Sequence, residues 1–207
     1  MKTRSKMGLM LTALACIFLS LGACSHDDTK TAVIPTSPLY DTLGWFIQGA
    51  KGPVAGQGVK MVADPDNAGT KIQAGRLAIR TVVAKALGVI ASDNRLAEYF
   101  PTLLAEVGAD NTTGLAHLLN SFTDFVQQAV SGQPGVYKGP SMKKVHNHAT
   151  FERFGSSTSP TSDNNDFDVF VGDVAQAATS LSVPSSVIGQ LGTLLYTTED
   201  DVSQKGM

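Results

Sequence analysis

Histidine is the side chain in this sequence best suited to bind a transition metal, and the chain has four of them. His26 lies in a polar N-terminal stretch and His117 in a stretch with helical periodicity, while His146 and His148 stand two residues apart. A His-x-His pair shares one face of a strand, but on a helix its members point about 200° apart. The chemistry of the pair therefore depends on which element carries it.

The segment around His146 is predicted to be a short helix that starts near Ser141. Met142, Val145 and His146 fall on one side of it and leave His148 on the other. A single inward histidine opposite aliphatic and aromatic side chains is how a protein holds haem iron through one axial imidazole. The residues alone favour an ordinary core histidine over this haem-ligand hypothesis, and both interpretations stay open at this point.

The two cysteines, Cys16 and Cys24, lie close to the N-terminus. A positively charged start precedes an apolar run over residues 7–21, which is the pattern of an export signal. The run ends in Leu-Gly-Ala-Cys, which resembles a bacterial lipobox. We expect residues 1–23 to be a cleaved lipoprotein signal peptide and Cys24 to carry lipid. An uncleaved anchor helix with a chance cysteine is the alternative.

A polar, proline-punctuated tether is expected over residues 24–38, between the lipid and the folded domain. Acyl chains supply membrane affinity of about 0.8 kcal/mol for each buried methylene, so the domain itself need not enter the bilayer. Ser25 follows the lipidated cysteine, where inner-membrane retention usually requires Asp. The expected location is the outer membrane, facing the periplasm.

Composition excludes several classes of protein. Of the 207 residues, 43% are hydrophobic and 16% are charged, which excludes a disordered polyelectrolyte and a coiled coil. The net charge is −2, without a long basic block, so nucleic acid is not an expected partner. Neither a Ser/His/Asp arrangement, nor a carboxylate pair at catalytic spacing, nor a thiol site in the mature chain supports a hydrolase.

Helical periodicity in four stretches predicts an all-α domain over residues 39–203. Apolar residues recur at intervals of three and four from 77 to 90, from 115 to 126 and from 167 to 181, and again in a last helix after Pro184. Asn111 is predicted to cap the second of these helices, and Pro101 to end a short helical piece before it. The stretches near 48–75 and 149–163 are rich in Gly or in Ser and Thr, and are predicted to be loop insertions.

Residues 137–146 (Tyr-Lys-Gly-Pro-Ser-Met-Lys-Lys-Val-His) are similar, position for position, to the segment around the iron-binding histidine of group I truncated haemoglobins. Residues 39–44 resemble the N-terminal motif of that family, residues 78–100 its second and third helices, and residues 167–184 its penultimate helix with a Val-Pro boundary. The resemblance implies a truncated globin, a two-over-two helical sandwich around haem b, and makes His146 the proximal iron ligand.

The distal side, where a gas would bind, departs from the family. Where most members carry a hydrogen-bonding Tyr and Gln, this chain has Leu87 and Phe122, and Leu118 falls at the usual apolar gate. Each lost charge-assisted hydrogen bond to bound oxygen would have been worth about 1.5–3 kcal/mol. Oxygen is therefore expected to leave quickly. His117, one residue before the gate, is either a sixth ligand or an exposed rim histidine.

The resemblance implies a haem protein that binds a diatomic gas (oxygen, nitric oxide or carbon monoxide) and is not primarily an enzyme. Two alternatives are a haem-dependent redox enzyme, for nitric oxide detoxification or peroxidase-like chemistry, and a haem-free helical interaction lipoprotein. The side chains expected to line the haem are Leu87, Phe100, Leu118, Phe122, Met142, Val145, Phe167 and Phe170.

Overall fold

Helices dominate the computed structural model, which describes residues 38–49, 54–147, 149–151, 153 and 160–204. The predicted signal peptide, most of the tether, Cys24, His26 and His148 lie outside the described residues. In chain order the elements are α1 (Pro38–Ile47), β1 (Met61–Ala63), β2 (Lys71–Gln73), α2 (Ala74–Ser92), a 3₁₀ turn (Ala97–Tyr99), α3 (Pro101–Gly108), α4 (Thr113–Ser131), α5 (Met142–Val145), α6 (Asn164–Ser180), α7 (Ser185–Tyr196) and α8 (Glu199–Val202).

Two pairs of helices form the body of the domain. Helix α2 packs on α4 and α6 packs on α7, while contacts of α2 with α6 and of α4 with α7 join the two pairs. This is a two-over-two arrangement, and the predicted all-α class is confirmed. Aliphatic side chains such as Ile79, Val83 and Leu191 fill the space between the helices. Burying each of them contributes about 1.5–3 kcal/mol, which is the main force that holds the helices together.

The helix boundaries follow from local chemistry. The Asp163 carboxylate accepts hydrogen bonds from the backbone of Asn165 and Asp166 (2.9 and 3.1 Å), and the Asp166 carboxylate accepts one from the Asp163 N–H (2.8 Å). This reciprocal capping box starts α6. The C-terminal end of α4 is set by Gly132, whose φ of 68° lies in the left-handed region that glycine adopts without strain.

The N-terminal motif at residues 39–44 has a structural role in the fold. The Tyr40 ring is completely buried, and a Cβ at either Gly58 or Gly75 would collide with it. The neighbouring Asp41 carboxylate accepts hydrogen bonds from the backbone N–H of Gly56 (3.0 Å) and of Gly58 (2.9 Å). Glycine is therefore required where the chain passes the ring, and the motif fixes α1 to the loop that follows it.

The stretch near 48–75 was predicted to be a loop insertion, but it contains a short β-hairpin. Strands β1 and β2 pair antiparallel, with Val62 opposite Ile72. At the start of the turn, the Asp64 carboxylate binds Arg80 of α2 through both terminal guanidinium nitrogens (2.5 and 3.2 Å). Strands of three residues are too short to show a period of two in the sequence. The conformation of this stretch is decided by pairing between the two strands and by the contact of Asp64 with Arg80, and neither is visible as a local sequence pattern.

Three smaller predictions also need correction. The short helical piece expected before Pro101 is the 3₁₀ turn, but Pro101 also begins α3, which was not predicted; proline fits the first helical turn without losing a hydrogen bond. The cap position of α4 is Thr112, although the Asn111 side chain does accept a hydrogen bond from the Thr113 N–H (3.1 Å). Helix α8 was not predicted. Within the described ranges, no helix combines the length and the apolar character needed to cross a bilayer.

Candidate functional site

His146 directly follows α5 and occupies its C-cap position, one residue beyond the helix predicted to contain it. The ring is partly buried, and its Nδ1 lies 2.9 Å from the backbone carbonyl oxygen of Met142. A carbonyl oxygen can only accept, so Nδ1 carries the hydrogen. The neutral ring then has its lone pair on Nε2, and this backbone contact fixes both the tautomer and the ring orientation.

The protonation state of His146 suits metal binding. Burial lowers the pKa of the imidazole, and the hydrogen bond to Met142 and the charge of Asp201 only partly offset this effect. The ring is therefore neutral at neutral pH. Neutral imidazole is the form that donates an electron pair to a metal, and a second hydrogen bond on the other ring nitrogen is the usual companion of such a ligand.

The segment that leads to His146 is held by side-chain contacts. The Ser141 hydroxyl accepts a hydrogen bond from the Lys144 N–H (3.3 Å) and starts α5. Tyr137 donates its hydroxyl hydrogen to the Pro140 carbonyl (2.8 Å) and packs edge-on against Phe125 of α4, with ring centroids 5.7 Å apart. The short helix thus begins from a turn that is fixed to α4.

Three phenylalanines from α4 and α6 form what we call the aromatic cluster: Phe122, Phe167 and Phe170. Ring centroids of Phe122 and Phe170 are 6.0 Å apart, and those of Phe167 and Phe170 are 5.7 Å apart. Phe167 is only 2% exposed, whereas the other two rings are partly exposed. Phe100 packs against the same core. The structure therefore brings together four of the eight side chains expected to line a haem.

The remaining expected lining residues are placed as follows. Leu87 is partly buried and packs on the core between α2 and α4. Leu118 is partly buried one helical turn before Phe122, so both point toward the same side of α4. Met142 and Val145 are partly buried in α5. Helix α5 contacts α8, and Val202 of α8 packs against the core that contains Phe167.

His117 is exposed on α4. It precedes Leu118 and therefore points about 100° away from it around the helix axis. This placement favours the rim-histidine interpretation over a sixth iron ligand.

An apolar cavity of about 20 Å³ lies behind Phe122. Polar side chains are absent from its described lining, so it has nothing to hold a water molecule. It is far too small for a cofactor. Its lining residues are Leu43, Ile79, Val82, Val83, Ala86, Phe122, Val126, Val174, Leu191, Leu194 and Leu195.

The residues present fit a haem better than a bare metal ion. Among the described residues, no three His, Cys, Asp or Glu side chains converge on one point, as a protein-only metal site requires. Haem needs only one axial ligand from the protein and an apolar surface for its ring. His146 supplies a neutral, oriented imidazole, and partly exposed phenylalanines supply the surface.

A polar network not predicted from the sequence supports the aromatic cluster. The buried Asp166 carboxylate accepts hydrogen bonds from Arg95 (2.5 Å) and from the Tyr99 hydroxyl (2.8 Å). Burial would raise the pKa of Asp166, but the hydrogen bonds from the Asp163 N–H, Arg95 and Tyr99 together lower it. The chain neighbours of Tyr99 and Asp166 are Phe100 and Phe167, so this network holds two lining residues in place.

A second unpredicted network connects α2 with α4. Arg76 donates to the carboxylate of Asp124 (2.5 Å) and to the side-chain oxygen of Gln127 (2.7 Å). The Tyr40 hydroxyl donates to the Gln73 side chain (2.6 Å), and burial raises the pKa of Tyr40 to about 12. The partners are 33 to 51 residues apart, so no local sequence signal could have paired them.

Comparisons with known proteins give a limited result. No family model matches the sequence, and no curated protein sequence is significantly similar to it. Similar solved structures include truncated hemoglobin from Tetrahymena pyriformis in its Fe(III) form (TM-score 0.47) and two of its single-site mutants (TM-score 0.48). They share 22% identity and cover 62% of this chain and 91% of the Tetrahymena chain. Because the identity and the TM-scores are this low, the roles of individual residues are argued from the geometry of this chain alone.

Proposed function

We propose that this protein is a haem-binding truncated globin in which His146 binds the iron and the apolar side chains of α2, α4 and α6 surround the other face. One observation carries the proposal: the Nδ1 hydrogen of His146 is donated to the Met142 carbonyl, which leaves the lone pair on Nε2. The neutral state of the ring and the capped helix before it add to this support.

The proposed ligand is a diatomic gas. Haem, when bound, supplies an iron atom that can take oxygen, nitric oxide or carbon monoxide. The chain itself would hold the iron through His146, and Leu87, Leu118 and Phe122 would exclude water from the other side. None of these three distal side chains can donate a hydrogen bond, so bound oxygen gains no stabilisation from them. We therefore infer that carbon monoxide and nitric oxide, which need less polar help, are retained better than oxygen.

The redox-enzyme alternative has less support. General acid–base chemistry at bound oxygen needs a positioned proton donor on the distal side. The side chains proposed to lie there are hydrocarbon, and His117 is exposed.

Titration of the purified protein with hemin tests the proposal. We expect a Soret band that saturates at one haem per chain, and a carbon monoxide complex after reduction. His146→Gly should lose the haem, and added imidazole should restore the spectrum by filling the vacated space. His117→Gly is the matched control and should titrate like the wild type. Full haem retention by His146→Gly without imidazole would overturn the assignment of the ligand.

We also propose that Cys24 anchors the protein to the bacterial envelope. The support is the charged start, the apolar run over residues 7–21 and the Leu-Gly-Ala-Cys ending. Expression with radiolabelled palmitate should label the wild type and not Cys24→Ser, and the wild type should fractionate with outer membranes. Equal labelling of both proteins would contradict this proposal without bearing on haem binding.

A further inference from the structure

The chain segment that carries His146 touches α4 on both sides of that histidine. Before it in the chain, the Tyr137 ring packs on Phe125, with centroids 5.7 Å apart. After it, the Arg153 guanidinium lies against Gly114, where a Cβ would collide with it. Gly114 lies near the start of α4 and Phe125 eleven residues further on, which is about 16 Å along a helix. His146 thus stands in chain order between two separate attachments to α4.

The second attachment includes an ion pair. Arg153 donates to both oxygens of the Glu106 carboxylate of α3 (2.6 and 3.2 Å). A two-point contact of this kind adds both energy and geometric specificity to an Arg–carboxylate pair. The Glu106 carbonyl also accepts the N–H groups of Ala109 and Asn111 (3.0 and 2.9 Å), which fixes the turn between α3 and α4. The pair therefore ties the segment after His146 to a fixed corner of the fold.

The side chains proposed to form the distal surface on α4 lie between these two attachments. Leu118 follows Gly114 by one helical turn, and Phe122 follows Leu118 by one more. Because the ion pair lies against Gly114, it stands at the N-terminal end of this apolar row. The segment with the proposed iron ligand is thereby joined to the helix opposite it at both ends of the row.

We propose that the Arg153–Glu106 ion pair is a clasp that holds the two sides of the haem site together and slows the exchange of haem with solution. The inference rests on the proposed haem function. The contact of Tyr137 with Phe125 is between aromatic rings, whereas the side chains of Arg153 and Glu106 are 45% and 25% exposed and carry charge. Salt weakens such a partly exposed pair. The ionic attachment is therefore the one that opens without disrupting the core.

Transfer of hemin from the full-length holoprotein to an excess of apomyoglobin tests this inference. At low salt, Glu106→Gln and Arg153→Gln should each lose hemin about two to five times faster than the wild type, a factor typical of a partly exposed ion pair. Glu98→Gln makes the same chemical change at an exposed side chain before α3 and should lose hemin at the wild-type rate. Equal rates in the wild type and both clasp variants would overturn the proposal.

Charge reversal separates the ionic contact from the individual residues. Glu106→Arg and Arg153→Glu should each speed hemin loss, and the two changes together should restore most of the wild-type rate. Molar salt should narrow the difference between the wild type and Glu106→Gln. A double reversal as fast as the single reversals, or a difference that is insensitive to salt, would overturn the proposal.

Gly114→Ala should open the clasp without changing any charge. The nearest atoms to the added methyl group are the ends of the Glu106 and Arg153 side chains, which can move aside. Alanine favours a helix more than glycine does, so α4 itself is not weakened. Hemin loss should nevertheless speed up as in Glu106→Gln. Gly172→Ala, which adds a methyl group in open space on α6, is the matched control. A wild-type rate in Gly114→Ala would overturn the proposal.

The clasp is also measurable in the haem-free protein. Denaturant unfolding of the wild type, Glu106→Gln, Arg153→Gln and the double variant forms a double-mutant cycle, which should show favourable coupling between the two side chains. Absence of coupling would overturn the proposal. Failure of the proposed function looks different, because no variant would then show a Soret band with hemin although the coupling would persist.

Discussion

The two sides of the candidate haem site differ in how their residues are held. On the proximal side, the Ser141 hydroxyl caps the short helix, and a hydrogen bond from His146 to the Met142 carbonyl orients the ring. On the distal side, Leu87 and Phe122 pack against the core between the helices, and Leu118 lies one turn before Phe122 on α4. Hydrogen bonds are directional and can orient the ring nitrogen that would bind iron. Apolar packing has no preferred direction, but it is sufficient to form an apolar surface on the distal side. If the chain binds haem as proposed, this difference predicts a site that retains iron well and stabilises its gas ligand poorly.

The largest expected effect comes from adding a donor to the distal wall. Leu87→Tyr should slow oxygen dissociation by about 10- to 100-fold, since a hydrogen bond to a charged group is worth about 1.5–3 kcal/mol. Stopped-flow measurement of oxygen release checks this. Leu87→Phe is the matched control, because it adds the ring without the hydroxyl. A similar slowing in both variants would show that the wall acts by steric exclusion and not through missing polarity.

The next effect concerns the network behind the aromatic cluster and its pH dependence. Asp166→Asn should destabilise the protein at neutral pH by about 1–3 kcal/mol, the usual cost of breaking buried hydrogen bonds. The pKa of Asp166 is lowered in the folded state, so its contribution is present above the ordinary pKa of about 4 and is lost as the pH falls through the folded value. Denaturant midpoints across the acid range should therefore converge for the two proteins. A constant difference down to strong acid would contradict this sign.

A smaller effect is expected at the proximal cap. Ser141→Ala removes the hydroxyl that accepts the Lys144 N–H and should cost about 1 kcal/mol. If the cap holds the helix before His146, haem should be lost about five times faster, as measured by transfer of hemin to an excess of apomyoglobin. Ser141→Thr retains the hydroxyl and should behave like the wild type. An unchanged rate in Ser141→Ala would mean that the contacts of α8 suffice to hold α5.

The smallest effect is expected at His117. Because its side chain is exposed, His117→Ala should leave the ferric and ferrous absorption spectra unchanged. Loss of a low-spin six-coordinate spectrum in this variant would show that α4 rotates on haem binding. In that case the distal side would contain a directional ligand after all, and the contrast with the proximal side would disappear.

Local signals predicted the long helices well and the contacts between distant residues poorly. The start of α5 near Ser141 was predicted from residue type and spacing, and Gly132 after α4 and Asp163 before α6 are residue types typical of helix ends. The β1–β2 hairpin and α8 were missed because elements of three or four residues carry too little periodicity. The pairing of Arg95 with Asp166 spans 71 residues, and nothing in either neighbourhood specifies it.

The sequence by itself determined the all-α class, the export pattern with Cys24, and His146 as the histidine to examine, because periodicity, charge order and motif spacing are local properties. Only the tertiary structure decided that His146 donates its Nδ1 hydrogen to Met142, that His117 is exposed, and that α8 packs against α5. Each of these depends on the rotation of a side chain or the packing of separate elements. Burial and hydrogen bonding fix such features only when the whole chain has folded.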